Sequence, residues 1–117
     1  EECQLPWEGN QTFGHCFHLF VFRILPEKAG LSRDEFVQAL KDRNIGTGIH
    51  YRPAHLHTFY RNYYQAHPQA LPPQGLPYAE WSGDRLLSLP LWPTLAEEDQ
   101  DLTVSIIKDL FISAKKK

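Results

Sequence analysis

At 117 residues the chain has the size of one domain, enough to bury about two thirds of the surface its unfolded form exposes. Hydrophobic residues at 42% and charged residues at 22% are ordinary for a globular protein and argue against disorder. A formal net charge of -2 supplies no general basic footprint for nucleic acid or anionic membrane, and no apolar run approaches the roughly 18 residues of a membrane span.

Only Cys3 and Cys16 are available for a disulfide, so a reducing, cytoplasmic setting is expected. The sequence holds no methionine and opens on "EECQLPWEGNQTF", with neither an initiator nor a targeting segment. It therefore reads as a piece of something longer, which bears on function because a piece carries part of a site.

In chain order, residues 1–14 mix Pro6, Gly9, Asn10 and Gly14 with polar residues and read as a linker. "HCFHLFVFRIL", His15 to Leu25, is apolar at both parities and predicts a strand covered on both faces, ended by Pro26. "LSRDEFVQALKDRNIG" carries a helix start. Ser32 and Glu35 stand at capping-box spacing, and Leu31 and Phe36 at staple spacing. Phe36, Val37 and Leu40 give the helix its apolar stripe, and Asn44 and Gly46 can stop it in left-handed geometry.

"IGTGIHYR" predicts a second strand closed by Pro53, and "HLHTFYRNYYQAH" a short helix packed through its aromatic residues. "PQALPPQGLP" reads as a loop, "YAEWSGDR" as one or two helical turns, and "LLSLPLW" as a third strand. The closing helix starts on Glu97, Glu98 and Asp99 and runs to a lysine tail, the order the helix dipole favours; Leu102, Ile106, Ile107 and Leu110 supply its buried face. The sum is an α+β fold, a small sandwich of about three strands, mostly antiparallel, covered by three to four helices. A right-handed crossover makes strands one and two parallel, with the third between them and antiparallel to both.

Three of the six histidines lie in "GTGIHYRPAHLHTFYR", Gly46 to Arg61. His15 and His18, three apart on a strand, point to opposite faces, and His50, His55 and His57 have no Cys or carboxylate near in sequence to complete a tetrahedral set, so no metal site is expected. Cys16, inside the most apolar strand, reads as inert buried thiol, and neither a nucleophile elbow nor a phosphate loop is present. What remains is the end of strand two, where His50, Tyr51, Arg52 and His55 offer two imidazoles, a phenol and a guanidinium within six residues. They suit an anionic or hydroxylated ligand. The plainer alternative stays open: Tyr51 packs, His50 makes one internal hydrogen bond, and Arg52 is solvated.

"LKDRNIGTGIHYRPAHLHTFYR" followed by "LPYAEWSGDRLLSLPLWPTLAEEDQDLTVSIIKDL" closely resembles the C-terminal small domain of the DegT/DnrJ/StrS-type sugar aminotransferases. The nearest likeness is to the UDP-4-amino-4-deoxy-L-arabinose–oxoglutarate aminotransferase branch, which serves lipid A modification. It covers about residues 13 to 113 and divides the chain into a linker, 1–12, from a missing large domain, and a small domain, 13–117.

The resemblance implies an enzyme whose large domain holds pyridoxal phosphate (PLP) on a lysine while the small domain closes one side of the cleft. It implies that His50 and Tyr51 face the substrate with Arg52 and His55 nearby. A homodimeric parent with active sites at the subunit interface, acting on a nucleotide sugar and glutamate or 2-oxoglutarate, follows from it too. Lys28, Lys41, Lys108 and the tail lysines do not suit a Schiff base. No catalytic residue and no bound cofactor are therefore expected of this chain alone. The rival from another class is a free-standing module that binds a small anion or regulates through the same strand end.

Overall fold

The apolar run from His15 predicts one long strand, but only Phe20–Ile24 forms it (β2). In the computed structural model, which describes residues 2–6 and 14–116, β2 is the centre of a three-stranded antiparallel sheet. Cys3–Gln4 (β1) pairs with one edge, placing Cys3 opposite Ile24 and Gln4 opposite Arg23. Leu86–Leu89 (β3) pairs with the other, Phe20 opposite Leu89 and Phe22 opposite Leu87. The run therefore stops being a strand where β3 runs out of partners.

Upstream of β2 the backbone turns: Phe17 takes a left-handed φ of 46° and donates its N–H to Nδ1 of His15 at 2.8 Å. His15, Cys16 and His18 are exposed as a result, so Cys16 is not the buried strand thiol the sequence suggests. The expected linker also contains β1, and its stretch 7–13 lies outside the described residues.

The second expected strand contracts to one bridge. Gly48 donates to the Ser88 carbonyl at 3.1 Å and accepts from the Ser88 N–H at 2.7 Å, with no ladder beyond. Two glycines with no side chain to pack, and Pro53 with no N–H, give this run little to pair with. The expected order is nonetheless kept at that point, for β3 lies between β2 and Gly48 and runs antiparallel to both.

The helices follow the local signals more closely. Pro26–Ala29 (α1) is one turn closed by Gly30 at φ 76°, where α1 meets the end of the last helix: a Cβ on Gly30 would stand 3.2 Å from the Ala114 carbonyl oxygen. Arg33–Lys41 (α2) carries the full capping box, Ser32 N–H to Glu35 Oε2 at 2.7 Å and Glu35 N–H to Ser32 Oγ at 3.3 Å, a cap that contributes about 1 kcal/mol. Asn44, at φ 60°, makes the left-handed stop; Gly46 has no positive φ.

Thr58–Ala66 (α3) follows a 3-10 turn at Ala54–Leu56. Pro77–Gly83 (α4) uses Pro77 at its first turn, and Pro68 likewise opens a 3-10 turn at Pro68–Ala70, so these prolines start short helical turns inside the expected loop. Glu97–Ala114 (α5) closes the chain with Glu97, Glu98 and Asp99 in its first turn.

The core lies between one face of the sheet and α2 with α5. Phe22, Ile24 and Leu87 from the sheet meet Phe36 and Leu40 of α2 and Ile107, Leu110 and Phe111 of α5. Three rings run through it nearly parallel, Phe22 to Phe36 at 5.7 Å and Phe36 to Phe111 at 5.3 Å. Leu102, expected on the buried face of α5, is 56% exposed, because it lies beyond the sheet's reach, on the wall of an open groove.

α3 departs further from expectation. None of its residues is buried, and Phe59 is 72% exposed; its rings stack on one another, Tyr60 on Tyr64 and Tyr63 on His67. The Cα radius of gyration, 17.1 Å, exceeds the roughly 13 Å of a compact chain this long, consistent with an arm held off the core. Among the described residues no helix is long and apolar enough to cross a membrane.

Candidate functional site

The single bridge at Gly48 fixes where the strand end points. Past it, the His50 imidazole folds back over Gly48 so closely that a Cβ at 48 would stand 2.3 Å from Nε2. Only glycine allows that return. His50 is thereby half-buried and lines an open groove of ≈ 790 Å³ between the α2 to Gly48 connection, the end of β3 and the first turns of α5. Ile45, Leu89 and Leu95 make the groove's walls apolar, while Arg43, Asp99 and Thr103 bring polar groups to it. Such a groove can hold an aromatic or sugar-like body and read its hydroxyls.

The four residues singled out from sequence do not share that groove. Tyr51, joined to His50 through a cis peptide, sets its ring edge-on to the imidazole with centroids 5.2 Å apart and is 78% exposed. Arg52 is exposed; its carbonyl accepts a hydrogen bond from His57 Nε2 at 3.2 Å. His55 turns inward. It is 9% exposed, and its Nε2 donates to Oε1 of Glu80, 2.9 Å away on α4.

His50 thus lines the groove, Tyr51 and Arg52 form a projecting tip beside it, and His55 holds the backbone under the tip. Among the described residues, no three His, Cys, Asp or Glu side chains come together in a way that could hold a metal ion.

Several residues at this site escape sequence reasoning. Glu80 and Gly83 lie on α4, Ser88 on β3 and Trp92 just after it, all distant in sequence from the strand end. The only signal available was the order of the "GTGIHYRPAH" and "YAEWSGDRLLSLPLWP" blocks, which says that the two stretches go together but not which atoms meet.

Over residues 2–108 the sequence matches the model of the DegT/DnrJ/EryC1/StrS aminotransferase family. The chain belongs to this family. Among solved structures, a DegT DnrJ EryC1 StrS aminotransferase from Brucella abortus is similar at 31% identity and TM-score 0.63, over 80% of this chain and 22% of that one. Spr1654 of Streptococcus pneumoniae, assigned as a sugar aminotransferase, is similar in its apo-form at 22% identity and TM-score 0.77, over 98% of this chain and 27% of that one. Its PMP-form gives 24% identity and TM-score 0.70, over 97% and 27%. The chain thus spans 22% to 27% of the length of these structures.

For a member of this aminotransferase family, the position of the lysines matters most, since a Schiff-base lysine must be partly desolvated beside its cofactor. Lys28, Lys41, Lys108 and Lys116 are exposed, and Lys115 pairs with Glu2 at the β1 end. None of them lines the His50 groove or the cleft along β1. The described residues of this chain therefore do not fit PLP by themselves.

Proposed function

We propose that the chain is the small domain of a PLP-dependent sugar-nucleotide aminotransferase and that it forms one wall of a cleft whose cofactor side lies on a large domain. The observation that carries this reading is the family match over nearly the whole chain, supported by an open groove lined by His50 and by the absence of any lysine from that groove among the described residues. The enzyme moves an amino group from glutamate, which leaves as 2-oxoglutarate, to a keto-sugar nucleotide. The resemblance of "GTGIHYRPAH" and "YAEWSGDRLLSLPLWP" favours a UDP-4-keto-pentose, the branch that serves lipid A modification.

In this reading His50 orients a sugar hydroxyl or a carboxylate, Tyr51 faces the substrate, and Arg52 meets a phosphate. The active unit is a cytoplasmic homodimer with its sites at the subunit interface. His55 acts behind these residues, since its ring is already engaged by Glu80.

Titration calorimetry with UDP-sugars, glutamate and inorganic phosphate separates this reading from a free-standing binding module. Half a cleft gives no micromolar site on the chain alone. A micromolar site for any of the three would favour the module.

A further inference from the structure

The stretch from Arg52 to His57 is tied down at three points, one within the stretch itself and two on α4. The Arg52 carbonyl accepts from His57 Nε2, the Pro53 ring lies against Gly83, and His55 Nε2 donates to Glu80. The fit at Gly83 is close, since a Cβ there would stand 2.7 Å from both Cδ and Cγ of Pro53. The two contacts on α4 are one helical turn apart, so α4 grips the stretch along one side.

The side chains carried by this fixed backbone are the ones that point away. Neither the Tyr51 hydroxyl nor the Arg52 guanidinium has a hydrogen-bond partner among the described residues, and Tyr51 is 78% exposed. A short irregular segment ordinarily loses order when its side chains make no contacts. Here the backbone is held from below while the tip stays free, which lowers the ordering cost of binding.

We infer that His55 and Glu80 are positioning residues: with the Pro53–Gly83 contact they form a clamp that holds the Tyr51–Arg52 tip in a fixed presentation. What the tip touches rests on the function proposed above. The clamp itself rests on the contacts within this chain.

The test is backbone order at residues 50–52 from NMR relaxation of the whole 117-residue chain. The unaltered chain should give order parameters of about 0.85 there, the value of rigid backbone, although the side chains are exposed. Glu80→Ala should drop them below about 0.6 while the methyl resonances of Ile24, Leu40 and Leu87 in the core stay put. Glu80→Gln, which keeps an oxygen acceptor at the same place, should restore most of the order.

Gly83→Ala, which pushes on the Pro53 ring instead, should loosen the same residues by a separate route. Unchanged order at residues 50–52 in both Glu80→Ala and Gly83→Ala would overturn the clamp, as would a loss in Glu80→Gln equal to that in Glu80→Ala. No nucleotide sugar or cofactor enters these measurements, so they stand or fall apart from the proposed function.

Discussion

The imidazole of His50 occupies the space that any side chain at residue 48 would need, with Nε2 2.3 Å from the position of a Gly48 Cβ. The residue that lines the groove is thus placed by a glycine two positions before it. Gly48→Ala leaves the bridge to Ser88 possible but evicts the ring. Because the ring is the mobile partner, the expected loss of stability is at most about 1 kcal/mol, below the usual cost of overpacking a core. The His50 ring resonances should move strongly, and those of Tyr51, which lies edge-on to it, should move with them. An unmoved His50 ring in the folded variant would show that the geometry is wrong.

Phe36 stands in the middle of the ring stack that joins the sheet to both core helices, and it is fully buried. Phe36→Ala removes contacts to Phe22 and Phe111 together, and a loss of about 3 to 5 kcal/mol is expected in chemical denaturation. Phe36→Leu, which keeps most of the volume, should cost less. Equal losses for the two variants would contradict this, because they would mean that the stacked ring matters and the volume it fills does not.

α3 invites the opposite experiment. Phe59→Ser and Tyr60→Ser remove large rings, yet both positions are exposed and the helix buries none of its residues. Each should change the stability of the chain by no more than about 0.5 kcal/mol, as at ordinary surface positions. A loss above about 2 kcal/mol for either would return these rings to a packed role.

The tie between β1 and α5 is electrostatic and should show in a titration. Lys115 bonds Glu2 and holds its carboxyl below the ordinary value of 4.5. A lowered folded value means that the stabilisation is present above pH 4.5 and fades as the pH falls through the depressed folded value. Both groups lie at the surface, so the effect should be small and weaken in salt. The Glu2 carboxyl carbon followed by NMR should titrate below 4.5, and Lys115→Ala should bring it back toward that value. No difference between the two chains would remove the pair.

Much of this architecture is legible in the residues, and the exceptions share a cause. The capping box at Ser32 and Glu35, the acidic start of α5 and the apolar β3 are local signals, and the fold keeps all of them. What sequence does not show is whether a partner exists. Cys3–Gln4 is too short to carry a periodic signal, yet it becomes a strand because β2 has a free edge there. "IGTGIHYR" has strand composition but meets β3 at one residue only. The aromatic residues of α3 and Leu102 of α5 have apolar character, but no surface among the described residues covers them.

The candidate site divides in the same way. His50, Tyr51 and Arg52 stand out as chemistry at a strand end, and the fold sets one in a groove and two on a tip. His55 looks equivalent in the sequence, but the carboxylate that decides its place, Glu80, is 25 residues away. Pairings at that distance leave no mark on spacing or composition.

In the proposed function this chain supplies a wall of an aminotransferase cleft and not its cofactor centre. The most direct measurement incubates the pure chain with PLP, glutamate and a UDP-keto-sugar, traps any lysine adduct by borohydride reduction, and follows 2-oxoglutarate. No site-specific adduct and no 2-oxoglutarate above background are expected. One adduct per chain on a single lysine, together with catalytic release of 2-oxoglutarate, would contradict it.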